Sequence, residues 1–295
     1  MYPSRRRFLA QSGVLLGAGL SLNPFLTFGN NLKKDVTVGD IMDAFINQVP
    51  GAPFPQTVDT LKMGSRDQVV TGVVATMFAT MEVIERTIEL GANFIIPHEP
   101  TFFNHADETD WLEDDEVFQS KNRLMKDHGI ALWRNHDYIH RLVDDGVRIG
   151  VVKELGWETY YEPGSPLLKI PPTSLRLLID HAKAKLGVPA MRYAGDLGQT
   201  CEKVLLIPGA AGGRAQIEGI MKYDPDVLIC GESNEWETPE YVRAANASGK
   251  KLSMIVIGHS ASEEGGSEFL KTWLENQFPD LPVHHIPSGN SLQVF

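Results

Sequence analysis

Apolar residues fall into short, abruptly ended runs along this chain. In GANFIIPHEP (residues 91–100) the run Phe94, Ile95 and Ile96 stops at Pro97 and is followed at once by His98 and Glu99. An unbroken apolar run between glycine and proline predicts a strand buried on both faces, as in a parallel sheet. His98 and Glu99 then stand where that strand leaves its sheet, the rim at which open α/β sheets bind ligands. Upstream, residues 69–74 predict another strand, and Val83, Ile84, Thr87 and Ile88 recur at helical spacing between the two. Strand, crossover helix and parallel strand make a βαβ unit. Earlier still, Thr37 opens a helical pattern, VGDIMDAFINQV, followed by the turn-forming GAPFPQ and a glycine turn at Gly64.

The second half repeats this pattern at one constant offset. Ile84 and Glu85 match Ile217 and Glu218, Ile95 and Ile96 match Leu228 and Ile229, Val73 and Val74 match Leu206 and Ile207, and Glu99 matches Glu232. The helix opened by Thr37 has a counterpart after Thr173, SLRLLIDHAKAKLG, and Gly64 has one in Gly195. Beyond each unit comes another strand-like run. Residues 130–135 lead to His136, with His140 four residues on; residues 252–257 lead to Gly258 and His259, with Glu263 four residues on. HDYIH and HSASE thus align, and each is followed by a helical pattern, over residues 142–155 and 268–278. The Pro- and Gly-rich stretch 161–172, YEPGSPLLKIPP, reads as the linker. The expected fold is α/β, with two related halves from an internal duplication and mixed sheets that contain parallel strands. The halves span residues 36–165 and 166–295, as a tandem or interleaved.

Composition adds a leader and a charge. The first residues, with Arg5, Arg6 and Arg7 before Phe8 and Leu9, have the twin-arginine export pattern, and the apolar segment behind them is too short and too broken by Gly and Pro to span a membrane. Residues 1–35 are therefore expected to be an export signal and the mature protein to be periplasmic or otherwise extracytoplasmic, without a membrane anchor after cleavage. With 295 residues, 42% of them hydrophobic, the rest can build a substantial core. The net charge of −11 argues against nucleic acid and anionic membranes as partners. Cys201 and Cys230 lack the spacing of a thiolate metal site and read as small residues of the fold.

Three strand ends therefore offer metal-type donors: His98 with Glu99, His136 with His140, and His259 with Glu263. Side chains four apart on a helical turn point the same way and can reach one ion or two adjacent ions. Imidazole with carboxylate and no thiolate suits zinc, manganese or iron, and carboxylates can bridge two such ions. Magnesium or calcium alone fits less well, since neither favours imidazole.

The stretches TGVVATMFATMEVIERTIELGANFIIPHEP, RNHDYIH, GES followed by Glu235 and Trp236, and IGHSASEEGG resemble the Nif-three-like dinuclear-metal family, some members of which are labelled type-two GTP cyclohydrolase. The resemblance extends over residues 37–295. It implies metal ligands at His98, at Glu99 where the family has a second histidine, at His140 where it has aspartate, at His259 and at Glu263, with Asp137 as the alternative to His140. It also implies two related α/β halves with the metals in the cleft between them, assembled as a homo-oligomer, often a hexameric toroid.

The expected function is an exported metal-dependent hydrolase that activates water against a small-molecule substrate, with Glu232 or Asp137 as proton acceptor. Phosphoesters, amides and ring C–N bonds all remain open, and GTP is a poor fit for an exported protein. The competing expectation is a non-catalytic periplasmic metal-binding or scaffold protein. Asp137, His136 and Glu264 adjoin the candidate ligands and are candidates to orient them. His105 and Asp107 lie in a following loop, and the glycine-rich GAAGGR (residues 209–214) opens a helix whose amides either hold an anion or pack the turn.

Overall fold

The computed structural model describes residues 35–294, so the expected export signal lies outside the described residues except for Asp35. The first half runs α1 (Val38–Ile46), β1 (Leu61–Met63), β2 (Val73–Thr76), α2 (Met81–Glu89), β3 (Phe94–Pro97), α3 (Glu116–Asp127), β4 (Ala131–Trp133), α4 (Asp137–His140) and α5 (Gly146–Leu155). It continues with β5 (Leu167–Ser174), α6 (Leu175–Leu186), β6 (Arg192–Ala194), β7 (Thr200–Ile207), α7 (Gly213–Tyr223), β8 (Val227–Cys230), α8 (Thr238–Ala247), β9 (Ser253–Val256), α9 (His259–Gln277) and β10 (Val283–His285).

These strands form two five-stranded sheets, ordered β1-β4-β3-β2-β10 and β5-β7-β8-β9-β6. β2, β3 and β4 are parallel, with Val73 opposite Phe94 and Phe94 opposite Ala131. β7, β8 and β9 are parallel in the same order, with Val204 opposite Val227 and Val227 opposite Ser253. β1 flanks β4 antiparallel, as β6 flanks β9. The remaining flank differs, because β10 runs parallel to β2 while β5 runs antiparallel to β7. The fold is thus mixed α/β, and the last strand of the chain completes the first sheet.

The apolar runs are buried on both faces. Val73, Ala75, Phe94, Ile96 and Trp133 pack under α1 and α9, while Val74, Ile95 and Leu132 pack under α2 and α3. Each such Val, Leu, Ile or Phe side chain contributes roughly 1.5–3 kcal/mol by leaving water. In the second sheet Val204, Leu206, Val227 and Ile229 meet α5 and α6 residues, and Leu205, Leu228 and Met254 meet Ile220 and Val242 on the other side.

Some boundaries differ from the sequence reading for local reasons. The strand expected over residues 69–74 starts at Val73, because Val69 bridges to Thr37 instead and the Asn93 side chain, accepting from Thr71 N and donating to Val69 O, bends the chain at Thr71. The helix expected from residue 142 starts at Gly146, where the Asp145 carboxylate caps the amides of Val147 and Arg148. Much of the expected linker is strand: Leu168 and Ile170 alternate into the core of β5, a pattern that Pro171 and Pro172 disguise. The helix expected from residue 268 begins at His259, so HSASE is its first turn.

α5 and α9 join the two sheets. α5 sends Val147 into the first core and Val151, Val152 and Leu155 into the second, and α9 adds Leu270 and Leu274 to the first. The helices meet at glycines: a Cβ on Gly150 would lie 2.0 Å from Gly265 O. This close crossing holds the N-terminal turn of α9 over the ends of β3 and β4.

Candidate metal centre

Pairing continues past the end of β3. His98 N donates to Thr76 O (3.0 Å) and Glu99 N to Met77 O (2.9 Å), which fixes the direction of both side chains. Both are buried, at 6% and 7% exposure. After β4, Asn135 N donates to Pro97 O, and the chain turns into α4 with His136 at its N-cap. Asp59 makes that turn possible, because its carboxylate accepts from His136 N (2.8 Å) and Tyr138 N (2.7 Å). Burial pushes the Asp59 carboxyl above its ordinary pKa despite these bonds. After β9, Gly258 turns with φ +109°, and His259 starts α9 with Glu263 one turn later.

These three strand ends converge. His259 Nε2 lies 3.0 Å from Glu263 Oε2 and 3.3 Å from Glu99 Oε1. His98 Nε2 lies 3.4 Å from Glu263 Oε2, His136 Nε2 3.5 Å from Glu99 Oε1, and His140 Nε2 3.8 Å from Glu263 Oε1. His98, Glu99 and Glu263 offer one ligand atom each within 4.8 Å of one another, and so do His98, His136 and His140. His98 belongs to both groups. The five residues carried over from the family therefore meet, and His136 joins them.

The donors are oriented as a metal site requires. Each of the four histidines has Nδ1 against an oxygen: Asn135 O for His98 (3.2 Å), Asp137 Oδ1 for His136 (3.1 Å), Asp145 Oδ2 for His140 (3.2 Å) and Glu232 Oε1 for His259 (3.0 Å). Oxygen partners on one ring nitrogen direct the other toward a cation. The buried Nε2 of His98, although close to Glu263, makes no well-formed hydrogen bond. The donor set fits a divalent transition ion.

The electrostatics follow from this packing. Burial opposes the charge on Glu263, but His98 and His259 outweigh it and hold the carboxyl far below its ordinary range. Burial likewise opposes a charge on His259, yet Glu263 and Glu99 push its pKa up to about 10. His136 goes the other way: burial and then His98 pull it down to about 4, which keeps it a neutral lone-pair donor. Glu99 is also lowered, against burial, by His259 and His98. Its second oxygen lies 3.2 Å from Arg134 Nη2, and Arg134 is wholly buried, donating as well to His98 O and His105 O.

The remaining candidates fall around this centre. Asp137 turns away from the carboxylates: Oδ2 accepts from Thr57 Oγ1 and Val58 N, and Oδ1 holds His136. Glu232, more than half exposed, stands behind His259. Glu264 points elsewhere, to His285 (2.7 Å). Asp107 accepts from Thr101 N and Phe102 N and pairs with Lys62 and Arg134, so it shapes the loop after Glu99. In GAAGGR two amides are taken internally, Gly209 N by Ser262 Oγ and Gly213 N by Glu237 Oε2. Cys201 and Cys230 are free and buried. A cavity of about 1880 Å³ has His259 and Glu232 in its wall.

Arg134, Asp59 and Asp145 were not singled out in the sequence, because each acts through contacts that no motif spells. His136 stood among the metal-type donors at the strand ends, but the ligand set implied by the family resemblance passed over it and left it as an orienting residue, although its alignment with His259 signalled an equal place.

The family model described as Duf34/NIF3 (NGG1p interacting factor 3) matches residues 56–291. A Clostridium perfringens protein named GTP cyclohydrolase 1 type 2 homolog is 25% identical over 218 residues, covering 69% of this chain and 77% of its own. Staphylococcus aureus protein SA1388 superposes with a TM-score of 0.70 at 20% identity, over 88% of this chain and 99% of its own. A Bacillus cereus protein related to NIF3 does so with a TM-score of 0.69 at 16% identity, over 89% and 99%. The two five-stranded sheets are thus an architecture shared with solved NIF3-related proteins, and with most of its length matched by the family model the chain belongs to the Duf34/NIF3 family.

Proposed function

We propose that the protein is a metal-dependent hydrolase using two divalent transition ions, zinc, manganese or iron, to activate water against a small-molecule substrate. The observation that carries this reading is the set of four histidines held at Nδ1 by oxygen, with every Nε2 within 4 Å of Glu99 or Glu263. His98, Glu99, His140, His259 and Glu263 would hold the ions, with His136 beside them. Ions there would supply Lewis acidity, which lowers the pKa of water and polarises a scissile group.

The chain's own groups prepare that chemistry. His259, His98 and His136 keep Glu99 ionised in a buried place, with Arg134 against its second oxygen, and Glu263 keeps its charge between His98 and His259. Glu232 aligns His259 and stands in the cavity wall, where it is placed to accept a proton. Asp137, committed to Thr57, Val58 and His136, serves as an orienting group in this reading. The cavity supports turnover over closed metal storage, because catalytic sites keep access for substrate. The label carried by relatives adds ring C–N hydrolysis to the reactions such a site serves. The same reading places the mature protein outside the cytoplasm, on the strength of Arg5, Arg6 and Arg7, and in homo-oligomers of hexamer type, on the strength of the family resemblance.

The test is elemental analysis of protein purified after native export, alongside His98→Ala and His259→Ala, followed by a screen with p-nitrophenyl esters, phosphates and phosphodiesters. Wild type should carry a transition metal that both variants lose. Activity that survives in both variants would remove the mechanism, and metal without any turnover would leave a binding protein.

A further inference from the structure

Asn135 ends the run that forms β4, and it continues the alternation of Ala131 and Trp133 onto the face of the sheet that α9 covers. An apolar side chain is the ordinary occupant of such a position. Asn135 is 1% exposed, and among the described residues nothing hydrogen-bonds its Oδ1 or its Nδ2. Ser267, on α9 one turn past Glu263, is 3% exposed, and its Oγ is unpaired as well. Buried polar atoms without partners are rare and destabilising, and here three occur together. Asn135 and Ser267 line one small cavity of about 10 Å³, whose other walls include Ile96, Ile139, Leu270 and the buried His98.

We infer that this cavity is a built-in binding site for one water molecule, through which Asn135 acts as a positioning residue of the metal centre. The space is that of a single water. One water can accept from Nδ2 and donate to Oδ1 of the same amide, and it still has a hydrogen and a lone pair for Ser267 Oγ. A single molecule therefore satisfies all three atoms with the three bonds that a buried water ordinarily makes. A metal cation fits less well, because the amide N–H repels it and two oxygens fall short of a coordination shell. Cavities that stay dry are apolar, and this one is not. The backbone of the same residue connects the water to the centre: Asn135 N donates to Pro97 O (3.0 Å), and Asn135 O lies 3.2 Å from His98 Nδ1. A water held between the Asn135 amide and Ser267 ties the strand end that orients His98 to the helix that carries His259 and Glu263. The positioning role rests on the proposed metal site, whereas the water site does not.

A high-resolution crystal structure of the purified protein tests the water site. One well-ordered water within hydrogen-bond distance of both Asn135 and Ser267 is expected, and an empty cavity or a direct bond between the two side chains overturns the site. Titration of the chelator-treated protein with cobalt(II) tests the positioning role, since the absorption bands of the bound ion report the geometry of its ligands. Ser267→Ala and Asn135→Leu should each weaken cobalt binding by roughly tenfold, the low end of what losing an outer partner costs, and shift those bands. Ser267→Ala guards against misfolding as the cause, because it removes only an unpaired hydroxyl from a helix. Leu274→Ala removes packing from the same helix two turns past Ser267 and should lower the melting temperature while leaving the bands in place. Wild-type bands and affinity in both cavity variants, or an equal shift of the bands in Leu274→Ala, overturn the positioning role. A wild-type protein that binds no cobalt removes the metal centre and this role with it, and leaves the crystallographic water standing.

Discussion

His98 and Glu263, from opposite halves of the chain, bring Nε2 and Oε2 to 3.4 Å of each other where both side chains are buried. Glu263 also faces His259 and His140, so it is the carboxylate on which most of the centre turns. Glu263→Gln keeps the shape and removes the charge. Metal affinity should fall by more than about 100-fold, beyond the roughly 10–100-fold that losing an outer partner costs. The metal-free variant should also lose about 3 kcal/mol, since a buried charge on His259 loses a partner. Metal-buffered titration and urea unfolding of chelator-treated protein check both, and an unchanged metal affinity would remove Glu263 from the site.

Gly209 guards the same carboxylate. Its φ is +67°, and a Cβ there would fall 2.2 Å from Glu263 Oε1. Gly209→Ala should therefore cost about 1–3 kcal/mol in backbone strain and also displace the Glu263 carboxylate. Gly187 makes the control, because its φ is +65° with nothing within 4 Å of an added Cβ. Gly187→Ala should show the strain in its melting temperature and retain its metal, whereas Gly209→Ala should lose both stability and metal.

Arg134 has no exposure and reaches Glu99, His98 O, His105 O and Asp107. Arg134→Met removes the guanidinium shared by two buried carboxylates, leaving Asp107 to Lys62 alone and Glu99 to the histidines, and a loss of about 3 kcal/mol is expected. Arg134→Lys should rescue little, since a single ammonium cannot reproduce the planar fork. Denaturant titration measures both. A loss below about 1 kcal/mol would mean that water, rather than Arg134, carries those charges.

Glu154 yields a pH dependence away from the centre. Burial first, then Glu264 and Glu268, raise its pKa from 4.5 to about 7, with His285 acting the other way. The folded state then holds a proton that the unfolded state releases between about pH 4.5 and pH 7, so stability falls as pH rises through that window. Above pH 7 the full cost is present. Glu154→Gln should raise stability at pH 8 by about 1–2 kcal/mol and change little at pH 4. Melting temperatures of both proteins across pH 4–8 check the sign, and parallel curves would count against it.

The buried parallel strands were legible in the sequence because a strand covered on both faces leaves an unbroken apolar run, as in Phe94-Ile95-Ile96. The ends of those strands were legible too, since a histidine or carboxylate directly after such a run has few places to go. What surrounds His98 was not. Arg134 and Asp59 bind across the fold to groups whose partners no spacing reveals, and Asp145 reaches back five residues to His140 while capping its own helix. The three residues of β10 carry too little pattern to announce a strand, and their pairing with β2 depends on where α9 delivers them.

The sequence alone determined the α/β character and the donors that stand at three strand ends, because burial periodicity and donor chemistry are local properties. Tertiary structure decided which nitrogen meets which oxygen. Asp137 and His140 share one helical turn, yet the first is taken by Thr57 and Val58 and the second faces Glu263. That choice depends on the crossing of α5 and α9 at Gly150 and Gly265, where the absence of side chains lets the helices approach closely enough to seat Glu263 over His98.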